Sequence, residues 1–353
     1  MPFFSICIPQ HNRTSFLIEA CRHLKLQTCQ DFEVCISDDC STDGRAEELQ
    51  QFLRESQIPF VYCRQEKNRR YDGNLRAAIG LASGEYCVLM GNDDCLAEDA
   101  TLESLRAMLT KHPQTGVAIT NFKAFSSGQI TRRIVRTGNL GSGPQVAVRS
   151  FRNVSFVSGV IFRRDRAQAN ATDRWDGSEM YQMYMASRII AEGYELLELD
   201  VVAVRKDMTI PGESVDSYEN RPRLNPCPIV ERKTTLLQLG ALVSDAVRPY
   251  AGKQSVWYDV QILLQVLFFT YPFCILNARR VQSWKFAAGN CLGMRPKNLF
   301  SQMDFPLVHR WFLGSIFFAV SCAALLMPIT FFDACQPKLF AISKSILRRT
   351  RTA

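Results

Sequence analysis

The sequence predicts an α/β protein, with a mixed sheet flanked by helices over residues 1–215 and a helical, membrane-associating region over residues 216–353. Three observations carry this prediction. Short apolar runs alternate with helical patterns through the N-terminal part, which is typical of βαβ units. Acidic turn clusters directly follow two of those apolar runs. From about residue 231 onward, leucine-rich and long apolar stretches replace the alternation.

The predicted elements follow one another regularly. A strand over residues 3–8 is ended by Pro9, and a helix begins after a turn at residues 12–14. This alternation indicates a parallel, doubly wound sheet, in which ligands bind beyond the carboxyl ends of the strands. Further strands are predicted at 32–37, 59–64, 85–90, 116–125, 130–136 and 197–204, and further helices at 46–55, 74–83, 102–110 and 175–192.

Composition excludes several classes of protein. The 353 residues are 47% hydrophobic and 22% charged, which is ordinary for a globular protein and argues against disorder. The net charge of +8 is modest, so we expect no nucleic acid partner. The 13 cysteines contain no CxxC pair, and the N-terminus lacks a secretion signal, which together indicate reduced thiols in the cytosol.

Two acidic clusters, residues 38–43 (DDCSTD) and 93–94, come where predicted strands end. Aspartates are common turn residues, so one such cluster has an ordinary structural explanation. Two clusters at neighbouring strand ends would converge on one crevice. Carboxylates cannot hold a diphosphate directly, but they bind Mg²⁺ or Mn²⁺, which in turn coordinate phosphate oxygens.

Four segments in order resemble the motifs of family 2 glycosyltransferases of the GT-A fold. They are residues 5–13 (SICIPQHNR), 38–43 (DDCSTD), Asn74 ahead of an alanine-rich helix, and 84–94 (GEYCVLMGNDD). The resemblance covers residues 3–105 and extends more loosely to 210. It implies an inverting, metal-dependent transfer of a hexosyl or deoxyhexosyl group from a nucleoside-diphosphate sugar.

The resemblance also implies roles for individual residues on the donor side. Pro9, Asn12 and Arg13 would line the nucleotide pocket, while Asp39, with Asp38, would accept hydrogen bonds from the base. Asn74 would help to seat the donor.

Asp93 and Asp94 stand at the position of the family's metal-binding DxD motif. Asp93 is expected to be a direct ligand of Mn²⁺ or Mg²⁺, and Asp94 a ligand or a contact to the donor sugar. The sequence departs from the common pattern, because Gly91 stands at the first acidic position. We therefore expect fewer protein ligands and a looser metal.

The acceptor half is expected in two segments. Residues 156–162 (FVSGVIF) resemble the small-residue segment bordering the acceptor, which points to Ser158 and Gly159. Residues 175–184 (WDGSEMYQMY) open a helix where the family usually has Glu-Asp, and here only Glu179 remains. Glu179 is the expected base and Asp176 the alternative. A carboxylate at a helix N-terminus also has a purely structural explanation, since the helix dipole favours it there.

Arg205, after the predicted strand at 197–204, is a candidate phosphate contact, and a solvated basic turn explains it equally well. Many family members have a histidine near this point, and this sequence has none there.

The C-terminal region predicts contact with a membrane. Residues 311–332 form an uncharged run of 22, close to the length that crosses a bilayer, with a buried hairpin helix broken at Pro328 as the alternative. Basic residues flank the run on both sides, so we expect helices lying in the cytoplasmic face or a re-entrant hairpin rather than a simple crossing. They are Arg279, Arg280, Lys285, Arg295, Lys297 and Arg310 before it, and Lys338, Lys344, Arg348, Arg349 and Arg351 after it.

The expected acceptor is a glycan or a lipid-linked glycan in surface polysaccharide or O-antigen synthesis. Two other functions are compatible with such a sheet. A nucleotidyltransferase usually carries a glycine-rich basic loop near its first strand, and residues 9–13 are not glycine-rich. A scaffold that binds nucleotide sugar without turnover would explain Gly91 and Met180 at weakened motif positions.

Overall fold

The structure is a computed structural model, and it describes residues 1–214, 235–301 and 303–335. It divides into two compact units, Met1–Glu219 and Asn220–Ala353. The predicted domain boundary at residues 215/216 lies outside the described residues. The first unit contains the sheet, and the described part of the second is helical.

The first unit is built on a mixed sheet of ten strands among its described residues. The spatial order is β3-β2-β1-β4-β9-β6-β10-β5, with β7 paired to β6 and β8 to β10. Strands β1 to β4 are mutually parallel where they pair, whereas β9 runs antiparallel to both β4 and β6. The strands are β1 (Phe4–Gln10), β2 (Phe32–Asp38), β3 (Phe60–Arg64), β4 (Tyr86–Leu89), β5 (Cys95–Leu96), β6 (Thr115–Ala124), β7 (Ile130–Thr131), β8 (Gly138–Asn139), β9 (Val160–Arg163) and β10 (Glu195–Lys206).

The helices of this unit bury one apolar face each against the sheet. In α1, Phe16, Leu17, Ala20 and Leu24 recur at helical spacing and are fully or almost fully buried. They join the core formed by β1, β2 and β4. The helices are α1 (Thr14–Lys25), α2 (Ala46–Ser56), α3 (Arg70–Gly80), α4 (Thr101–Lys111), α5 (Pro144–Ser150), α6 (Arg164–Ala169) and α7 (Tyr181–Glu192), with a 3₁₀ turn at Phe151–Val154.

The first strand continues through Pro9 to Gln10, so the expectation that Pro9 ends it is wrong. Cys7 accepts the last ladder bond from the β4 side, where the N–H of Met90 donates at 3.1 Å. Pro9, two residues further on, faces the same side after β4 has ended. Its missing N–H therefore costs no ladder bond, which is the condition under which proline is tolerated in a strand.

Two other sequence expectations need correction. The strand predicted at 130–136 exists only as Ile130–Thr131, because the backbone of Ile134 bonds instead to the side-chain amide of Asn121, at 2.8 and 2.9 Å. The sheet is also not wholly parallel, since β9 lies between β4 and β6 in the opposite direction. The predicted α/β class with a mixed sheet and flanking helices is confirmed.

The described part of the second unit consists of helices. Two stretches are long and apolar enough to cross a membrane, Gln238–Val281 and Leu307–Leu326, although a core helix of a soluble protein passes the same test. Trp311 is 72% exposed and lies on the second stretch. The helices are α8 (Thr235–Ala251), α9 (Ser255–Phe269), α10 (Tyr271–Val281), α11 (Trp284–Gly293), α12 (Pro296–Leu299) and α13 (Leu307–Leu326), with a 3₁₀ turn at Gly252–Gln254.

The run predicted at 311–332 is not one helix. Helix α13 ends at Leu326, ahead of Pro328, and residues 329–335 are again helical. Proline lacks the N–H that would continue the helix, so the helix is interrupted just ahead of Pro328. The basic residues 338–351 lie outside the described residues.

Candidate active site

The carboxyl ends of β1, β2 and β4 meet at Gln10, a buried side chain at the last position of β1. Its backbone oxygen accepts from the N–H of Asp39 at 2.8 Å and from the amide of Asn74 at 3.0 Å. Its side-chain oxygen accepts from the amide of Asn92 at 2.8 Å, and its side-chain nitrogen donates to the carbonyl of Asn12 at 2.6 Å. One residue thus joins four segments that the sequence placed in the site.

Asp93 is the more accessible of the two adjacent carboxylates. Its side chain is 16% exposed and lies 3.5 Å from the guanidinium of Arg13. Among the described residues, Nε and Nη2 of Arg13 are buried and have no hydrogen-bond partner, so the two groups attract by charge without hydrogen-bond geometry. A buried donor without an acceptor is costly, which favours an anionic ligand at this place.

Asp94 is buried at 3% exposure. One carboxylate oxygen accepts from the hydroxyl of Ser158 at 2.5 Å, and the other accepts from the N–H of Asp207 at 3.0 Å. Burial, and secondly the charge of Asp93, raise the pKa of Asp94 to about 7 despite these two donors. In the absence of a cation, Asp94 is therefore partly protonated near neutral pH.

The two carboxylates converge on the space beside Gly91. A Cβ built at Gly91 would lie 3.1 Å from an oxygen of Asp93 and 3.1 Å from an oxygen of Asp94. Carboxylate oxygens are the ligands that Mg²⁺ and Mn²⁺ accept, and a diphosphate and water complete such sites. The residues therefore fit a divalent cation. No group of three or more His, Cys, Asp or Glu suited to a metal is found among the described residues.

Asp38 and Asp39 have different surroundings. Both oxygens of Asp38 are engaged within the fold, one by Ser41 at 2.9 Å from its N–H and the other by the hydroxyl of Tyr62. Asp39 accepts from the N–H of Arg69 at 2.5 Å, which links the 38–44 turn to the start of α3. Burial raises the pKa of Asp39. Asp38 therefore shapes this turn, and Asp39 is the carboxylate with capacity for a ligand.

Asn12 and Asn74 complete the donor-side residues around Pro9. Asn12 accepts from the N–H of Thr42 at 2.7 Å and has a left-handed backbone, as has Arg13. The side-chain oxygen of Asn74 is buried and has no hydrogen-bond partner in the described part of the chain. Such an oxygen is satisfied only by a ligand or water.

Ser158 and Gly159 lie against the acidic pair. Besides its bond to Asp94, the Ser158 hydroxyl accepts from the N–H of Gly91 at 2.9 Å. Gly159 has φ of +78°, and a Cβ there would lie 2.3 Å from the hydroxyl of Thr120. Glycine is required here by both backbone and packing.

Glu179 and Asp176 lie in the loop before α7, which begins at Tyr181 and not within the 175–180 segment as expected. Asp176 forms a two-point ion pair with Arg76, whose Nη2 is 2.8 Å from the carboxylate. Glu179 is exposed and has φ of +60°. The structure therefore pairs Asp176 with Arg76 and places Glu179 at the surface of the same loop.

Arg205 is not brought to the acidic pair by the contacts described. Its guanidinium lies 3.3 Å from the ring nitrogen of His23 and 5.3 Å from the centre of the Phe125 ring. Side chains alternate along β10, so Arg205 packs against α1. The phosphate contact expected for Arg205 has no support from this geometry.

Three residues of the site were missed by sequence reasoning. Gln10 stands inside the first motif, between residues whose types indicate a nucleotide pocket more directly. Asp72 stands two positions before Asn74, and its residue type alone indicates no role there. Arg133 donates to the carbonyls of Thr120, Phe156 at 2.6 Å and Ser158 at 2.8 Å, and burial lowers its pKa to about 9. Because these partners are backbone carbonyls, no pattern of residue types in the sequence indicates the position of Arg133.

The N-terminal half of the chain is similar to known glycosyltransferases. The profile of Glycosyl transferase family 2 matches residues 5–174, just under half of the chain. An abequosyltransferase of Salmonella typhimurium is 39% identical over 98 residues, which are 27% of this chain and 29% of that protein. A GalNAc(5)-diNAcBac-PP-undecaprenol beta-1,3-glucosyltransferase of Campylobacter jejuni is 28% identical over 100 residues, 28% of this chain and 32% of that protein. The match thus spans less than a third of either relative's length.

Solved structures show a similar fold over most of the chain. TarS 1–349 of S. aureus in complex with UDP superposes with a TM-score of 0.61 at 16% identity, covering 91% of this chain and 90% of that one. A complex of the same protein with UDP-GlcNAc gives the same TM-score of 0.61. At this identity the likeness concerns the fold alone.

Proposed function

We propose that this chain is a family 2 glycosyltransferase, which transfers a hexosyl or deoxyhexosyl group from a nucleoside-diphosphate sugar to a hydroxyl, with inversion at the anomeric carbon. The acceptor is a glycan or a lipid-linked glycan in surface polysaccharide or O-antigen synthesis. The site of action is the cytoplasmic face of a membrane.

The convergence of Asp93 and Asp94 on the space beside Gly91 carries this proposal. The pair follows β4, which lies beside β1, and Gln10 at the end of β1 holds both Asn92 and Asp39. Ligands of such sheets bind beyond these strand ends. A nucleotide whose base is near Asp39 would therefore have its diphosphate near Asp93.

Two buried polar side chains that have no hydrogen-bond partner for some of their atoms among the described residues support a nucleotide-sugar donor. Arg13 offers two N–H groups beside Asp93, and Asn74 offers an oxygen beside Gln10. Pro9 and Asn12 border the same region. A diphosphate would neutralise Arg13, and a hydroxyl of the ribose or of the sugar would satisfy Asn74.

A divalent cation fits between the donor and the acidic pair. Asp93 and Asp94 would hold Mn²⁺ or Mg²⁺, which when bound supplies positive charge to the departing diphosphate. The protein's own task is to keep Asp94 ionised, and the donors from Ser158 and Asp207 favour that form.

Glu179 is proposed as the base. Its carboxylate accepts the proton of the acceptor hydroxyl while that oxygen bonds to the anomeric carbon and the bond to the diphosphate oxygen breaks. Asp176 is a weaker candidate, because both its oxygens are engaged by Arg76. Ser158 and Gly159 border the acceptor, where the absence of a side chain at Gly159 permits close approach.

A membrane-bound acceptor is supported by the second unit. Helix α13 exposes Leu307, Val308, Trp311, Phe312 and Phe318 to more than half of their full extent. Apolar surface of this kind marks a membrane or protein contact. The Campylobacter relative's name also includes an undecaprenol-linked glycan.

Product analysis tests the proposed function. The purified full-length chain is incubated with a panel of nucleotide sugars, Mn²⁺ and a lipid-linked glycan extract, and both released nucleotide and labelled glycan are measured. We expect nucleoside diphosphate and sugar transfer in equal amounts, both lost in Asp93→Ala. Release of pyrophosphate would instead indicate a nucleotidyltransferase, and tight donor binding without product would indicate a scaffold.

A further inference from the structure

Asp72 on helix α3 is a buried carboxylate that is occupied entirely by another segment of the chain. It is 1% exposed. One of its oxygens accepts from the N–H groups of Gly177 and Glu179, both at 2.8 Å, and the other accepts from the N–H of Tyr181 at 3.0 Å. The three donors come from alternate residues of the loop that carries the proposed base.

This loop needs an external anchor. Gly177 has φ of +88° and Glu179 has φ of +60°, a left-handed conformation that is unfavourable for glutamate. Residues 176–179 lie outside the described helices and strands, because α7 begins only at Tyr181. A backbone turn bond donated by Ser178 also stabilises this loop. The bonds to Asp72 act at Gly177 and Glu179 themselves, the two residues of the loop with positive φ.

Other side chains of α3 fix the same loop from the flanks. Arg76, one turn after Asp72, binds Asp176 and the carbonyl of Thr172 at 2.9 Å. Tyr71 donates to the side chain of Gln182 at 3.1 Å. The Asp72 carboxylate holds the centre of the loop and these two contacts hold its ends.

The same helix also fixes the donor side of the site. Asn74, two residues after Asp72, donates to the backbone of Gln10 at 3.0 Å. One turn of α3 therefore contacts the end of β1 through Asn74 and the loop that carries Glu179 through Asp72. Displacement of a reacting group by about 1 Å is sufficient to slow an enzyme markedly.

We propose that Asp72 is a positioning residue, whose carboxylate fixes the backbone of residues 177–181 and so directs Glu179 toward the acceptor. This inference rests on the proposed function, in which Glu179 is the base. Asp72 is buried, and both its oxygens accept from backbone N–H groups. Its charge matters, because three N–H donors match a carboxylate with no proton, whereas an amide would oppose at least one of them with its own N–H.

Asp72→Asn is the test, and Glu33→Gln is its matched control. Glu33 is also a buried carboxylate, and it accepts from Ser5 at 2.6 Å, from the N–H of Ser83 at 2.7 Å and from that of Gly84 at 3.2 Å, away from the loop. If Asp72 acts by positioning, both variants lower the melting temperature, but only Asp72→Asn lowers kcat, by about tenfold or more, with donor KM nearly unchanged.

Coupling to Glu179 separates this inference from the proposed function. In the background of Glu179→Gln, Asp72→Asn should reduce kcat no further. If Glu179→Gln is inactive while Asp72→Asn keeps wild-type kcat, or if Glu33→Gln lowers kcat equally, the positioning role is overturned and the proposed base stands. If Glu179→Gln keeps full kcat, the proposed base is wrong, and the role of Asp72 falls with it.

Hydrogen exchange in the wild-type protein is a second test, which can be carried out even if Asp72→Asn does not fold. The amides of Glu179 and Tyr181 should be protected, although Glu179 is exposed, because their N–H groups are held by a buried acceptor. Exchange of both amides at the rate of an unstructured loop would overturn the proposal. Asp72→Glu, which keeps the charge, should retain more kcat than Asp72→Asn.

Discussion

The hydroxyl of Ser158 donates to the carboxylate of Asp94 at 2.5 Å, across 64 residues of chain. The same hydroxyl accepts from the N–H of Gly91 at 2.9 Å. A residue predicted on the acceptor side therefore touches a residue predicted to hold the metal. This contact makes the two halves of the site dependent on each other.

Replacing Ser158 by alanine should weaken the cation site. Asp94 loses a donor that favours its ionised form, and a hydrogen bond to a charged group is worth about 1.5–3 kcal/mol. We expect the affinity for Mn²⁺, measured with nucleoside diphosphate present, to fall about tenfold or more near neutral pH. Ser127→Ala, in an exposed turn, serves as the control, and equal affinities in the two variants would contradict the prediction.

The metal-free protein should lose stability as the pH rises. The pKa of Asp94 is raised to about 7 in the fold, chiefly by burial and then by the charge of Asp93. A group with a raised folded pKa binds more protons when folded, so its contribution is present at low pH and is lost as the pH approaches that value.

The measurement is the melting temperature in a chelator between about pH 4 and about pH 7, because the change lies between the ordinary pKa of an aspartate, 3.8, and the folded pKa of about 7. Asp94→Asn should flatten this dependence, and Mn²⁺ with nucleoside diphosphate should restore stability to the wild type at the upper end. A dependence that persists unchanged in Asp94→Asn would show that another group causes it.

Alanine at position 91 should loosen the cation without unfolding the protein. Its Cβ would lie 3.1 Å from both carboxylates, and the backbone φ there is one that any residue adopts. We expect weaker Mn²⁺ binding with a melting temperature close to that of the wild type. Gly80→Ala, where a Cβ meets nothing within 4 Å, should leave Mn²⁺ binding intact. Unchanged binding in Gly91→Ala would mean that the pair does not share an ion.

Gly159→Ala should destabilise the fold much more than Gly128→Ala. Both glycines have positive φ, +78° and +66°, which costs roughly 1–2 kcal/mol for alanine. Only at position 159 would the Cβ also collide, 2.3 Å from the hydroxyl of Thr120. Urea unfolding compares the two. A similar loss of unfolding free energy in both variants would mean that the 156–159 segment can shift enough to accommodate the added Cβ.

The exposed apolar face of α13 should decide membrane binding. Leu307 and Trp311 are 70% and 72% exposed, so replacing both with serine removes membrane-facing surface and little internal packing. We expect less of the full-length protein to sediment with anionic vesicles. Leu26→Ser, at a residue of the first unit that is 59% exposed, is the control. Equal sedimentation of all three proteins would exclude α13 from membrane contact.

The sequence predicts much of the donor side. The acidic clusters at the ends of β2 and β4 can be recognised from short stretches of sequence. Each follows an apolar run bounded by turn residues, and this is enough to predict that the cluster lies beyond the end of a strand. Asp39 and Asp93 belong to these clusters. The strands of the parallel half were also located to within about two residues, because each is bounded by turn formers.

The remainder depends on contacts that local patterns do not encode. Asp72 accepts hydrogen bonds from backbone N–H groups more than a hundred positions away. Because almost every residue type has such a group, the residue types at these positions do not reveal the contact. Strand β9 is only four residues long, and it runs antiparallel to both of its neighbours. The charge of Arg205 makes it a candidate for a phosphate contact, but the sequence does not reveal that its guanidinium lies beside His23.

Mn²⁺ binding followed by electron paramagnetic resonance, with and without a nucleoside-diphosphate sugar, tests the paired strand ends most directly. We expect the donor to strengthen Mn²⁺ binding to the wild-type protein, and we expect Asp93→Asn combined with Asp94→Asn to abolish this effect while the fold is retained. Donor-dependent Mn²⁺ binding that is equally strong in the double variant would show that the two aspartates do not hold the ion.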